Sequence, residues 1–191
     1  MVTRPLASRA AVATLAVTTL VLTACGGGSS TSSSGNSASS GSALPSVSAD
    51  EALASNVPQA IASDGVITVG SDTTYAPSEF LDADGQTIIG FDVDLFTLVA
   101  QKLGLKAQFE TAPFDSIIAG VGSGKYETGV SSFTINPDRL QQANMISYYS
   151  AGTQWSTKKG NPKKVDPESA CGKKIAVQKG TVQVDDITAR S

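Results

Sequence analysis

Hydrophobic and polar residues follow two periods along residues 45–191, one typical of helices and one typical of strands. The clearest helix is predicted over residues 92–103, because Leu95, Val99 and Leu103 recur at the spacing of one helical face. Other helices are predicted over residues 48–55, 115–121 and 136–143 and from Thr181 onward, with a turn at 57–65. β-branched or alternating runs predict strands over residues 66–69, 87–89, 106–110, 127–132 and 174–177.

Three of these helices begin at polar residues that can cap a helix. Ser48 and Glu51 have the spacing of a capping box. Asp115 stands at the predicted start of its helix, and Asn136 precedes Pro137, which suits the first helical position. These side chains are therefore predicted to accept hydrogen bonds from the first free amides of each helix.

Strands that alternate with helices predict an α/β fold with a largely parallel sheet. In such sheets, ligands bind beyond the carboxyl ends of the strands. The polar and aromatic residues at these ends are therefore the candidates for a binding site. They are Ser71 and Asp72, Phe114, Ser131 to Thr134, and Gly180 with Thr181.

The first 24 residues predict a secretory signal peptide. Arg4 and Arg9 form a basic start, residues 10–23 are apolar apart from threonines, and small residues precede Cys25. An apolar run of this length is too short to span a bilayer comfortably. The segment Leu22-Thr-Ala-Cys25 resembles the lipobox of bacterial lipoproteins, in which the cysteine thiol takes a diacylglycerol and the cysteine becomes the first residue. This resemblance implies a lipid anchor with palmitate on Cys25; the alternative is an ordinary signal with a chance cysteine.

Residues 26–42 follow as a tether of five Gly, nine Ser and one each of Thr, Asn and Ala. Such a composition offers too little apolar surface to form a core. A flexible coil of this length reaches about 23 Å root-mean-square. The sequence therefore predicts a folded body held close to the membrane and free to turn.

Charge and composition exclude several classes of function. Without residues 1–24 the chain keeps 12 of its 14 basic residues and all 17 acidic ones, a net charge of −5. The chain has no basic stripe, so nucleic acid is not expected as a partner. It contains no histidine, which excludes Ser-His-Asp and Cys-His nucleophiles and histidine-containing metal sites. No metal or cofactor is expected. With Cys25 assigned to the lipobox, Cys171 has no second cysteine in this sequence with which to form a disulfide, which indicates a partner outside it.

Seven segments together resemble the amino-acid-binding proteins of ABC importers, the family-3 extracellular solute-binding proteins. They are Val69–Pro77, Gly90–Leu95, Phe114–Ile118, Gly124–Tyr126, Ser131–Arg139, Tyr148–Ser150 and Gly172–Thr181. Their order and spacing match through nearly all of residues 65–183. The resemblance implies a periplasmic-binding-protein type II fold, in which two α/β lobes are joined by two crossing segments.

The resemblance also implies a domain organisation. Residues 1–24 are expected to be the signal peptide, 25–44 the lipid-anchored tether, 45–150 lobe 1, and 151–191 the hinge and the start of lobe 2. Lobe 1 is then largely present and lobe 2 incomplete, so the chain is expected to be truncated. Family members use a second, returning crossing segment that this sequence does not reach.

The implied function is capture without chemistry. A lipid-anchored monomer on the extracytoplasmic face of the cell membrane would bind a polar or basic amino acid between its lobes and deliver it to an ABC permease. A dehydratase-type enzyme on the same fold and a ligand-sensing module for a signalling partner are the alternatives. No paired carboxylates stand at the predicted strand ends, which argues against the enzyme.

Arg139 is the predicted clamp for the ligand carboxylate. A guanidinium can hold a carboxylate through two hydrogen bonds, and the first turn of a helix also favours an anion. The resemblance implies this role, aided by the backbone amide of Thr134. The alternative is a surface arginine paired with Asp138 or Glu127.

Residues two apart in an extended segment point to the same side, which predicts that Ser132 and Thr134 share one face. The resemblance implies that the Ser132 carbonyl and the Thr134 hydroxyl face the ligand ammonium. The resemblance implies that Ser131 and Thr181 also belong to the site. Ordinary strand-end hydroxyl groups are the alternative. Val182 departs from the family pattern, since many relatives carry a second threonine there.

Two aromatic residues and one acid complete the predicted site. Tyr75 and Phe114 match family positions whose rings stack on the aliphatic part of the ligand, although aromatic residues more often belong to a core. Phe133 is bulkier than usual beside the clamp. In relatives that take basic amino acids, the residue matching Asp72 accepts from the side-chain cation; the alternative is a turn or cap aspartate.

Overall fold

The computed structural model of the protein describes residues 44–169 and 171–190. Six helices lie in this part of the chain: α1 (Glu51–Ala54), α2 (Gln59–Ala62), α3 (Phe91–Lys102), α4 (Phe114–Gly122), α5 (Pro137–Leu140) and α6 (Val182–Ala189). Six strands accompany them: β1 (Val66–Ser71), β2 (Thr74–Tyr75), β3 (Glu79–Leu81), β4 (Ile88–Ile89), β5 (Lys106–Thr111) and β6 (Thr128–Gly129). A 3-10 turn lies at Pro167–Ser169. The predicted signal peptide, lipobox and tether, residues 1–42, lie outside the described residues.

The main sheet is parallel and has the order β5-β1-β6. Val69 lies at its centre, opposite Phe109 of β5 and Thr128 of β6, and is fully buried. The parallel sheet predicted from alternating strands and helices is therefore confirmed. Its carboxyl edge carries Ser71, Thr111 and the residues that follow β6, which places the predicted binding residues along one edge.

A second sheet, antiparallel and in the order β2-β3-β4, was not predicted as a unit. Only the strand over residues 87–89 was expected, and it is confirmed as Ile88–Ile89. Strand β4 leads into α3 through Gly90, whose φ is 133° and where a Cβ atom would lie 2.1 Å from the carbonyl oxygen of Ser78. Glycine at this position therefore lets the start of α3 pack directly on the start of β3.

A buried hydrophobic cluster joins α4 to the sheet. Ala112, Ile117 and Tyr126 form it, and Val121 and Phe133 pack against it. A Cβ atom on Gly70 or Gly120 would lie 2.7 Å from the ring of Tyr126. These two glycines therefore make room for the tyrosine between β1 and α4.

Helix starts differ from the predicted caps at two of three places. The side chain of Asp50, rather than Ser48, accepts from the amides of Ala52 and Leu53 at the start of α1. Helix α4 begins one residue early, with Pro113 at its N-cap position, so Asp115 lies inside its first turn. The Asn136 cap and Pro137 are confirmed, although α5 ends at Leu140 rather than near residue 143.

Two predicted strands are corrected. The strand over residues 127–132 shortens to Thr128–Gly129. Residues 174–177 form no strand, because a strand needs a hydrogen-bonded neighbour and residues 151–169 and 171–190 contain no other strand to pair with it. The helix predicted from Thr181 onward is confirmed as α6, with Thr181 at its N-cap position.

Within the described residues, no helix is long and apolar enough to cross a membrane. Cys171 is exposed and forms no disulfide there.

Candidate ligand-binding site

All eight predicted site residues line one cavity of about 260 Å³. They are Asp72, Tyr75, Phe114, Ser131, Ser132, Thr134, Arg139 and Thr181. The cavity lies at the carboxyl edge of the parallel sheet, where ligands bind in open α/β sheets. Residues 152–154, 177, 178, 182 and 183 form its far wall. Thr181 lies at this wall although the strand predicted just before it, over residues 174–177, does not form.

The start of α5 positions Arg139. The side chain of Asn136 accepts the amide of Arg139 at 2.9 Å, and Pro137 occupies the first turn. The arginine is only 8% exposed and points into the cavity. The local capping predicted from the sequence is what turns this side chain inward.

Two backbone carbonyl groups hold the guanidinium of Arg139. Its Nη1 donates to the oxygen of Thr134 at 2.6 Å, and its Nη2 donates to the oxygen of Gly180 at 2.9 Å. A guanidinium has five N–H donors, so these two bonds leave donors for a ligand. Arg139 forms no ion pair within the described residues, and the surface pairing with Asp138 or Glu127 is not observed.

The rings of Phe114 and Phe133 lie beside this guanidinium. They stack with centroids 4.4 Å apart and planes inclined by 24°. The guanidinium carbon of Arg139 lies 5.6 Å from the Phe114 centroid and 5.3 Å from the Phe133 centroid. Burial lowers the pKa of Arg139, with Asp185 opposing the shift, but a guanidinium remains charged at physiological pH. The large Phe133 is thus part of an aromatic platform under the cation.

Asp72 closes a turn, as one of the two alternatives predicted, and it also lines the cavity. Its Oδ1 accepts from the amide of Thr74 at 3.1 Å and from the hydroxyl of the same residue at 2.6 Å, which closes a turn. Its Oδ2 accepts from the amide of Phe114 at 3.1 Å and from Nε2 of Gln178 at 2.9 Å. The carboxylate is only 7% exposed and also lines the cavity. It therefore fixes the local fold and presents a negative charge to the cavity.

The serines after β6 are held from behind the cavity wall. The hydroxyl of Ser131 accepts the amide of Asp72 at 3.0 Å and donates to Oε1 of Glu79 at 2.7 Å. The amide and the hydroxyl of Ser132 both donate to Oδ2 of Asp92, at 3.2 and 3.0 Å.

Ser132 does not have the extended backbone from which its orientation was predicted. Its φ is 49°, in the left-handed region, so the alternation of side chains in a strand does not apply to Ser132 and Thr134. Both residues nevertheless line the cavity. Hydrogen bonds to Asp92, and not strand geometry, set the position of Ser132.

Glu79 lines the cavity and was missed by sequence reasoning. It is 1% exposed, and burial, together with Asp92 and Asp72, raises its pKa to about 8 despite the hydrogen bond from Ser131. It stands first in β3, a strand that the sequence did not predict. The structure thus brings Glu79 and Asp92 together as a carboxyl pair that the predicted strand ends did not contain.

Several contacts connect residues 178–180, next to the far wall of the cavity, to Asp72 after β1 and to Asp115 in α4. Besides Gln178, which donates to Asp72, Lys179 forms an ion pair with Asp115 at 2.7 Å, which lowers the pKa of Asp115. The lysine side chain is 88% exposed, so solvent weakens this pair. Gly180 has a φ of 78°, and a Cβ atom there would lie 2.7 Å from the Cβ of Asp115. Only glycine fits this approach, which presents the Gly180 carbonyl to Arg139.

In the described ranges, no group of three or more acidic or cysteine side chains could hold a metal ion. The cavity instead contains one cation, two acids, several hydroxyl groups and an aromatic platform. This set can bind a small zwitterion through charge and hydrogen bonds.

Residues 67–188 match the sequence profile of the bacterial extracellular solute-binding proteins, family 3. The chain belongs to this family. Membership agrees with the parallel sheet and confirms the predicted α/β fold of the periplasmic-binding-protein type II class. This family 3 chain therefore carries its candidate site at the sheet edge expected for the fold.

Known relatives include proteins named for basic amino acids. The arginine-binding protein ArgT of Corynebacterium glutamicum is 39% identical over 136 residues, which are 71% of this chain and 44% of that protein. The lysine/arginine/ornithine-binding periplasmic protein of Escherichia coli K12 is 31% identical over 118 residues, 61% of this chain and 45% of that protein. An ancestral arginine-binding protein, solved with arginine bound, is 38% identical with a TM-score of 0.40, over 41% of this chain and 34% of that one. The family 3 chain thus spans less than half the length of the curated relatives it matches.

Proposed function

We propose that this chain belongs to the substrate-binding component of an ABC importer that captures a polar or basic amino acid. The proposal rests mainly on the position of Arg139. This buried cation lines the same cavity as Asp72 and has donors left for a ligand. Arg139 would bind the α-carboxylate, and Ser132 and Thr134 would face the ammonium group. Tyr75, which is 56% exposed, would cover the aliphatic part of the ligand opposite Phe114.

The size of the cavity and the names of relatives support this ligand class. About 260 Å³ lies below the range of roughly 300–1,000 Å³ typical of drug-sized ligands, which suits a single amino acid. Asp72 offers a carboxylate to a cationic side chain. The two relatives described above are named for arginine and for lysine, arginine and ornithine, which favours a basic ligand.

The proposed mechanism is closure around the ligand. We place lobe 1 at residues 45–150 and the hinge and start of lobe 2 at 151–191, in a two-lobed full-length protein. The ligand would bind lobe 1 first, and lobe 2 would then rotate about the hinge. Gln178 donates to Asp72, and the carbonyl oxygen of Gly180 accepts from Arg139. These two bonds support the proposed closure, because they connect the two segments at the cavity. The permease would then recognise the closed, ligand-bound form.

Binding is favoured over the dehydratase and sensor alternatives by the names of relatives, which describe binding proteins. Of the carboxyl pair, only Glu79 lines the cavity, while Asp92 is fully buried behind it. A gene for a permease or an ATPase beside this one would favour an importer over a sensor.

A screen of the twenty amino acids by thermal shift tests the proposed function. In the full-length protein, a ligand at a hundred times its Kd contributes about 2.7 kcal/mol, which corresponds to a rise in Tm of about 5–10 °C. We expect arginine, lysine or ornithine, or a polar amino acid such as glutamine, to give such a rise. A flat response to all amino acids would contradict the proposal.

We also propose that acylation of Cys25, with palmitate among the acyl groups, anchors the protein to the outer face of the cell membrane. The basic start, the apolar run and the lipobox-like segment support this anchor. A Cys25→Ser variant is then expected to leave the membrane fraction, since two or more acyl chains give stable anchoring and none remain. Membrane fractionation with Cys171→Ser as the matched control checks this, and retention of Cys25→Ser in the membrane would contradict it.

A further inference from the structure

Two buried carboxyl groups meet at the wall of the cavity, which Glu79 lines and Asp92 does not. Glu79, the first residue of β3, is 1% exposed, and Asp92, in the first turn of α3, is 0% exposed. The packing of Gly90 on Ser78 holds these two elements together. Two ionised carboxylates in such a place would repel each other strongly.

Hydrogen bonds account for one oxygen of each carboxyl group. Oδ2 of Asp92 accepts from the hydroxyl of Tyr148 at 2.6 Å and from the hydroxyl and amide of Ser132. Oε1 of Glu79 accepts from the hydroxyl of Ser131. Within the described part of the chain, the other two oxygens, Oε2 of Glu79 and Oδ1 of Asp92, are buried without a partner. The two carboxyl groups lie within hydrogen-bonding range of each other, so one shared proton would supply a donor at this contact.

The donors around each group indicate which one carries this proton. Asp92 accepts three hydrogen bonds, one from the hydroxyl of Tyr148 and two from the hydroxyl and amide of Ser132. Glu79 accepts one and faces Asp92 on α3 and Asp72 at the end of β1, so that its pKa rises to about 8. Arg139 lines the same cavity but donates to backbone carbonyl groups and forms no ion pair with Glu79. Burial and Asp92 also raise the pKa of Tyr148, which therefore remains a donor.

We propose that Glu79 and Asp92 share one proton, and that this pair positions Ser131 and Ser132 for the ligand. The neutral Glu79 donates to Asp92 and holds Ser131, while Asp92 holds Ser132 and Tyr148. Glu79 is thus a positioning residue of the site, and its effect on ligand affinity rests on the proposed function. When the proton is lost, Glu79 adds a negative charge beside Asp92 and Asp72, and the contacts of both serines are expected to loosen.

The pH dependence of folding tests the shared proton without any ligand. A carboxyl group whose pKa is raised from 4.5 to about 8 stabilises the folded state fully below 4.5, and this contribution is lost as the pH rises toward 8. Relative to Glu79→Gln, the unfolding equilibrium constant of the unmodified protein should therefore rise about tenfold per pH unit between about 5 and 8. Denaturant titrations of the full-length protein measure it, with the exposed Glu51→Gln as control. Parallel pH profiles of Glu79→Gln and the unmodified protein would overturn the proposal.

Ligand affinity tests the positioning role. Glutamine can donate to Asp92 and accept from Ser131, as a protonated Glu79 does, whereas alanine can do neither. With L-arginine and L-glutamine as probes at pH 7, calorimetry should show Glu79→Ala weakening binding at least tenfold and Glu79→Gln restoring it to within about threefold, the changes expected for a few lost hydrogen bonds. Equal weakening by both variants would overturn the proposal. If the unmodified protein binds neither probe nor any other amino acid, the proposed function fails, and the pH profile still decides whether the proton is shared.

Discussion

Replacing Arg139 with alanine is expected to abolish amino-acid binding by the full-length protein, with Kd rising at least about a hundredfold. The loss is large because a ligand carboxylate in the cavity would then be desolvated without a cation. Removing one partner of a buried ion pair costs about 3–5 kcal/mol, which is more than a hundredfold in affinity. Isothermal titration calorimetry with the ligand from the thermal screen measures the change.

Arg139 has contacts within the protein that must be distinguished from its proposed contacts with the ligand. Arg139 also holds the carbonyl groups of Thr134 and Gly180, so alanine removes two protein contacts as well. Arg139→Lys keeps the positive charge but loses the planar fork, and we expect intermediate affinity from it. Arg190→Ala serves as the matched control, because Arg190 pairs with Asp186 and Glu168 away from the cavity. Retained affinity in a folded Arg139→Ala variant would remove the clamp assignment.

Replacing Asp72 with asparagine is expected to weaken the binding of a basic amino acid at least about tenfold more than that of a neutral one. Asparagine has nearly the same shape but no charge, so only a cationic ligand loses an electrostatic partner. Calorimetry with arginine and glutamine on the same variant measures this difference.

The comparison of two ligands is needed because Asp72 also stabilises the fold. Its Oδ2 accepts from the amide of Phe114 and from Gln178, and an asparagine nitrogen in that place would face two donors. That cost is common to both ligands and cancels in the ratio of their affinities. Asp84→Asn is the matched control, since Asp84 is exposed in the turn between β3 and β4. Equal losses for both ligands would identify Asp72 as a purely structural aspartate.

The sequence predicted those elements whose stability is local or whose pattern is long. Helix α3 is twelve residues long with apolar residues at helical spacing, and the central strand β1 is rich in β-branched residues, so both were predicted within a few residues of their bounds. The Asn136 cap could be predicted because it is local: the side chain of Asn136 accepts from the amide of Arg139, only three residues later. The predicted strand ends included six of the eight site residues, and the resemblance added Tyr75 and Arg139. The structure brings all eight to one cavity; that they bind a ligand remains a prediction.

Elements that depend on residues far away in the sequence could not be predicted in this way. Strands β2 and β3 contain two and three residues and form only because they pair with each other and with β4. The β-branched run over residues 174–177 has the composition of a strand but lacks a strand to pair with. Ser132 adopts a left-handed backbone held by Asp92, 40 residues earlier.

By itself, then, the sequence determined the parallel α/β core, the order of its segments and the residue types available for a zwitterion. Only the tertiary structure decided that Glu79 lies beside Asp92, that Ser131 and Ser132 rest on this pair, and that Gly180 reaches Arg139. The physical reason is that hydrophobic periodicity and capping act over a few residues. The ionisation of a buried carboxyl group depends instead on every charge and donor that the folded chain brings around it.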